Sequence, residues 1–185
     1  MAHSKNWALF GSGVLGFLIP AYFAWIIFQE NIPQNLATWI MILFLDFLGL
    51  TLVYKSGNKK PYLQIGWCVA AACIVLAILF SDSPWHWGSI ETLSVLLCAL
   101  AVTLWLKCSA RIAIFAYLLA FLLSGLPLAV DFWHHPEPNT IWVWGWSMVA
   151  CMLAIYGAEK RDIANTIVPW TAIGTNSILI ALCLG

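Results

Sequence analysis

The chain has 185 residues, 63% of them apolar and only 9% charged, with twelve tryptophans and a formal net charge of zero. Soluble domains draw about a quarter of their residues from Asp, Glu, Lys and Arg, so this chain cannot wet a globule and lipid has to be its solvent. Zero net charge without a basic patch also excludes nucleic acid as a partner.

A helix needs about 20 apolar residues to cross the hydrocarbon core, and seven runs in the chain approach that length. The first, Trp7–Phe28, is too long for the apolar core of a signal peptide, roughly 7–15 residues, and reads as a span. Asn31-Ile32-Pro33-Gln34-Asn35 then breaks the chain before Leu36–Tyr54. Ser56-Gly57-Asn58-Lys59-Lys60-Pro61 separates that run from Tyr62–Phe80, and Asp82-Ser83-Pro84 precedes Ile90–Lys107. The fifth run is Ile112–Phe132, followed by His134-His135-Pro136-Glu137-Pro138-Asn139; the last two are Thr140–Gly157 and Ala164–Leu184. The breaks are clusters of Pro, Gly, Asn and Ser, which punctuate helices. The runs are continuously apolar, so helices are expected rather than the period-two alternation of a barrel.

Charge tests the count independently. Lys5 precedes the first run; Lys55, Lys59 and Lys60 follow the second; Lys107 and Arg111 follow the fourth; Lys160 and Arg161 follow the sixth. The other connections and the C-terminal end carry no Lys or Arg. Such alternation arises by chance about once in 35 shuffles, and positive charge marks the cytoplasmic side. The expectation is an all-α integral membrane bundle of seven transmembrane helices in a plasma or bacterial inner membrane. Its N-terminus is cytoplasmic and its C-terminus outside. Trp7 and Trp105 at one boundary, with Trp39, Trp85, Trp87 and Trp133 at the other, fit an aromatic belt. The six cysteines (Cys68, Cys73, Cys98, Cys108, Cys151, Cys183) lie in or beside apolar runs without a CxxC pair. They read as small apolar fillers, not a disulfide framework or zinc site.

Asp46 is the sharpest candidate for function. It lies about 15 Å of helical rise into the second run, and a carboxylate there costs at least roughly 2.5–3.5 kcal/mol, so it has to face the bundle interior or a wet hollow. It could bind a cationic or hydroxyl-rich solute, carry a coupling proton, or hold a structural hydrogen bond. Asn176, beside Thr175 and Ser177 in the last run, offers an amide to a polar solute or glues helices together. Trp142, Trp144 and Trp146 enter the sixth run, while Trp67 and Trp170 lie deeper; core packing is the first reading of any one of them, and flat aromatic walls for a ring the second. Pro20 and Pro127 interrupt backbone hydrogen bonding inside the first and fifth runs and read as hinges or as packing kinks. The His134-His135-Pro136-Glu137 segment has no spacing that specifies a metal, so a solvated loop is expected and no metal or other cofactor is implied. No HExxH, GxSxG, P-loop or GxGxxG pattern occurs, which argues against an enzyme.

Sliding the sequence by 103 residues aligns Pro33 with Pro136, Trp39 with Trp142, Leu50 with Leu153, Gly66 with Pro169 and Trp67 with Trp170. Two parallel three-helix repeats, 7–80 and 112–184, joined by a lone linker helix 90–107, would form one membrane domain over 1–185. Duplications of this kind are common in transporters. With Gly125-Leu126-Pro127-Leu128 in the fifth run and Pro20-Ala21 in the first, this 3+1+3 arrangement resembles the SWEET and PQ-loop superfamily and the bacterial nicotinamide riboside transporters. Leu128 stands where that superfamily has glutamine. Asn176 matches its substrate-facing asparagine, with Cys73 as the repeat mate. The resemblance implies transport of a small solute (a sugar, nucleoside or vitamin) by alternating access between the repeats. Asp46, Asn176, Trp67, Trp170, Trp146 and Cys73 would be site residues, and Pro20 and Pro127 hinges. A sensor or accessory subunit without transport is the alternative, a lipid-modifying enzyme the remoter one, and homo-oligomerisation is open.

Overall fold

A computed structural model describes residues 2–30, 32, 34–81, 85–134, 140–158 and 163–184. The described residues are all-helical: α1 (Ala2–Glu30), α2 (Leu36–Lys55), α3 (Tyr62–Leu79), α4 (Ser89–Lys107), α5 (Ala110–Ser124), α6 (Leu126–His134), α7 (Ile141–Gly157) and α8 (Ile163–Cys183). Six segments are long and apolar enough to cross a membrane, with α5 and α6 counted together, and α7 is a seventh apolar helix of 17 residues. The bundle is apolar on its outside as well as in its core. Phe44, Phe47, Leu96, Phe115 and Leu119 are all exposed, as expected of helices whose outer faces meet lipid.

The helix ends follow from local chemistry. Asn35 caps α2, its side chain accepting from the Ala37 N–H at 3.1 Å. Gly57, at φ 117°, takes the left-handed conformation that terminates the same helix and that other residues resist. Ser109 accepts from the Ile112 N–H at 3.3 Å to start α5. At the head of α4 the Glu91 carboxylate reaches back to the Gly88 N–H, 2.9 Å away, satisfying one of the donors a helix leaves orphaned at its start.

The fifth run is not one helix. It breaks at Gly125, so Pro127 occupies the second position of α6 rather than a helix interior. A missing N–H costs little there because first-turn donors have no helical acceptor. Pro20 is different: α1 runs unbroken through it.

In packing, α3 lies between α1 and α2, and α8 lies between α7 and the α5–α6 segment. The two sets cross-pair, α1 against α7 and α2 against α5, while α4 rests on α5 and α2. The α1–α3 seam is the closest approach. A methyl group on Gly13 would lie 2.8 Å from both Cβ and the carbonyl oxygen of Tyr62, and one on Gly66 would overlap the Gly13 carbonyl. Only glycine lets two backbones come that near.

Candidate functional site

A hollow of about 330 Å³ sits within the bundle and is walled by every helix except α4. Pro20 and Phe23 come from α1; Trp39, Ile42 and Asp46 from α2; Trp67, Ala71 and Ile74 from α3. Across from them stand Leu119 and Phe121–Ser124 of α5, Leu128 and Ala129 of α6, Val143, Trp144 and Ser147 of α7, and Ala172, Thr175, Asn176 and Leu179 of α8. Its size suits a small organic ligand.

Among the described residues Asp46 is the only charged side chain on this wall. It is 6% exposed, and among the described residues no hydrogen-bond donor or cation reaches its carboxylate. Its titratable neighbours are Cys68 and Tyr117, neither of which supplies positive charge. The Trp144 indole N–H is a second buried polar group with no partner among the described residues. The other polar wall groups are engaged. Asn176 Nδ2 donates to Ser147 Oγ at 3.0 Å. The hydroxyls of Ser124 and Thr175 donate to their own helices, to the carbonyls of Phe121 (2.8 Å) and Ala172 (3.0 Å).

Aromatic rings close the end at which α2 and α7 begin. Phe23 stands between Trp39 and Trp144, with ring centroids 6.1 and 5.9 Å away, and Phe132 meets Trp144 edge-on at 5.9 Å. Trp39 is therefore not a belt residue. It is buried, and its indole N–H donates to Gln34 Oε1 at 3.1 Å. Next to it lies a buried polar cluster in which Glu91 Oε1 accepts from Thr38 Oγ1 at 3.1 Å and from Asn35 Nδ2 at 3.4 Å.

Of the residues expected at a site, Asp46, Asn176 and Trp67 share this wall, and so does Pro20. Trp170 and Trp146 do not; they are 58% and 52% exposed on the outside of the bundle. Cys73 packs against the buried apolar cluster around Ile74 and Ile78 instead, and Pro127 itself is not on the wall, though its neighbours are. The reason is register. Wall positions in the two sets of helices coincide at a shift of 105 residues, not 103: Pro20 with Gly125, Phe23 with Leu128, Trp39 with Trp144, Ile42 with Ser147, Trp67 with Ala172, Ala71 with Asn176 and Ile74 with Leu179. Two residues turn an α-helix by about 200°, which carries Trp170 to the face opposite the hollow. The sequence marks Trp144 only as one of three tryptophans entering the sixth run, and it does not single out Glu91. The three-residue spacing from Gly88 to Glu91 is the signal that marks the latter.

Among the described residues no group of three metal-ligating side chains gathers, and all six cysteines are free thiols. Pro33, Asp82, His135, Pro136, Glu137, Lys160 and Arg161 lie outside the described residues. Comparison with known protein families, with curated proteins and with solved structures finds no match.

Proposed function

We propose that the chain is a membrane transporter that carries a small solute through this hollow. It works by alternating access between two units of three crossings, α1–α3 and α5–α8 with the α5–α6 segment counted as one crossing, and α4 is the linker. The observation that carries the reading is a buried carboxyl group midway along α2, with no partner among the described residues, facing a hollow within the bundle. An intramembrane ionisable group without a structural partner is costly and marks a solute or proton pathway. Two further features support it. The third helix is the middle one in both units, and the cross-pairing of α1 with α7 mirrors that of α5 with α2. The coincidence of wall positions at a constant shift fits a site built at the junction of two related units.

In this reading Asp46 holds the solute or passes a coupling proton, and Pro20 and the Gly125–Pro127 break let the units rock. The distribution of basic residues supports an N-terminus in the cytoplasm and a C-terminus outside a plasma or inner membrane.

Flux into liposomes containing the full chain, with a panel of amines, sugars, nucleosides and vitamins, tests the reading. Uptake of at least one class is expected, and Asp46→Asn is expected to cut it about tenfold and to flatten its pH dependence. Uptake and pH profile unchanged by Asp46→Asn would remove that residue from the mechanism. Binding of a solute with no flux for any class would leave a sensor in place of a transporter.

A further inference from the structure

The hollow is not sealed on all sides. Leu119, Leu122, Leu126 and Ile178 are wall residues and yet are 42% to 57% exposed. A residue on both surfaces marks a rim, and all four belong to α5, α6 and α8. The opening therefore lies between the α5–α6 segment and α8. It faces sideways at mid-depth and not towards either aqueous side. The corresponding position in the other unit, between α1 and α3, is shut by the glycine seam.

The chemistry inside narrows what passes through. A sugar would bring several hydroxyls, each penalised if buried without a partner. The wall offers few partners: the hydroxyls of Ser124 and Thr175 are bonded to their own helices and the Asn176 amide is bonded to Ser147. What remains is the Asp46 carboxylate, with the Trp144 N–H and the spare capacity of Asn176 and Ser147, in an otherwise apolar chamber. One acidic group with no basic partner among the described residues, in a greasy chamber open to lipid, complements one amine on an apolar body.

We infer that the solute is an amphipathic amine that enters from the bilayer between α5–α6 and α8 and seats its ammonium group against Asp46. The inference rests on the hollow being the transported solute's site, and it names the solute's class and its route. The apolar arm lies along Leu122, Leu126 and Ile178, and the head travels inward to α2.

The test uses the full chain in phosphatidylcholine nanodiscs and a decylamine carrying a photoreactive diazirine on its chain. Labelled peptides are mapped by mass spectrometry, with decylamine, decanol or decanoate as competitor. Label is expected on wall residues of α5 and α8, with decylamine competing at least about tenfold better than decanol or decanoate. Asp46→Asn, which preserves shape, is expected to abolish that preference. Leu122→Trp, which narrows the opening, is expected to slow labelling several-fold while leaving the preference for amine intact. Equal competition by all three, preference surviving Asp46→Asn, or label confined to outward lipid-facing side chains would each overturn the inference. Flux of a sugar or nucleoside without amine labelling would leave transport standing and sink the amine. Labelling without flux would do the reverse.

Discussion

The seam between α1 and α3 and the gap between α5–α6 and α8 occupy corresponding places in the two units and solve opposite problems. In the first, Gly13, Gly16 and Gly66 bring the backbones together so closely that no side chain fits between them. In the second, at the same register of 105, the larger residues Leu118, Phe121 and Thr171 stand where those glycines were. Lipid tails are as apolar as leucine, so membrane helices adhere through close packing and not through burial from water. Side-chain volume alone thus decides which junction is welded and which is open.

That contrast can be broken most severely at Gly66. A Gly66→Ala substitution puts a methyl into the Gly13 carbonyl and is expected to cost about 3 kcal/mol, the upper range for overpacking, seen as unfolding at lower SDS fraction. A smaller loss follows from Glu91→Ala, which removes the acceptor of three hydrogen bonds, two tying the head of α4 to the start of α2 and one capping α4 itself. About 2 kcal/mol is expected for bonds to a buried carboxylate, along with faster proteolysis in the α3–α4 connection. Asn176→Ala, on the open side, deletes only the bond to Ser147 and is expected to cost about 0.6 kcal/mol. Gly174→Ala sharpens the comparison from the other direction. A methyl there meets nothing within 4 Å, so the gain in helix propensity, about 0.5–1 kcal/mol, is expected to stabilise. If Gly174→Ala destabilised as strongly as Gly66→Ala, the two junctions would not differ in the way described.

Much of the architecture was legible because lipid imposes it. Continuous apolar runs of about 20 residues have few alternatives to helices, and each run expected to span coincides with helix. The break at Gly125 was less visible. Glycine before Leu-Pro in an apolar run is compatible with a kink, and only the position of Pro127 in its own first turn distinguishes a break. Asp46 stood out because a charge among apolar residues has no neutral explanation. Trp39 did not, because a tryptophan near a helix end serves a belt or a chamber equally well, and its neighbour Gln34 settles the matter only in three dimensions. The different register of the wall has a related origin. Tryptophan and proline landmarks aligned at 103 residues, but membrane helices carry tryptophans on both lipid and core faces, so matching residue types does not match faces. Glu91 looked like the polar start of a helix and is also a buried anchor.

The pairing of α1 with α7 has a consequence for how the chain is made. Leu9 and the Lys5 carbonyl press against Gly157, contacts nearly 150 residues apart along the chain. At the usual pace of protein synthesis, about 5–20 residues per second, the first helix waits roughly ten to thirty seconds before its far partner leaves the ribosome. During that interval its Leu9 and Ser12 face lies uncovered in the bilayer, and the nascent bundle stays ajar until the sixth crossing arrives.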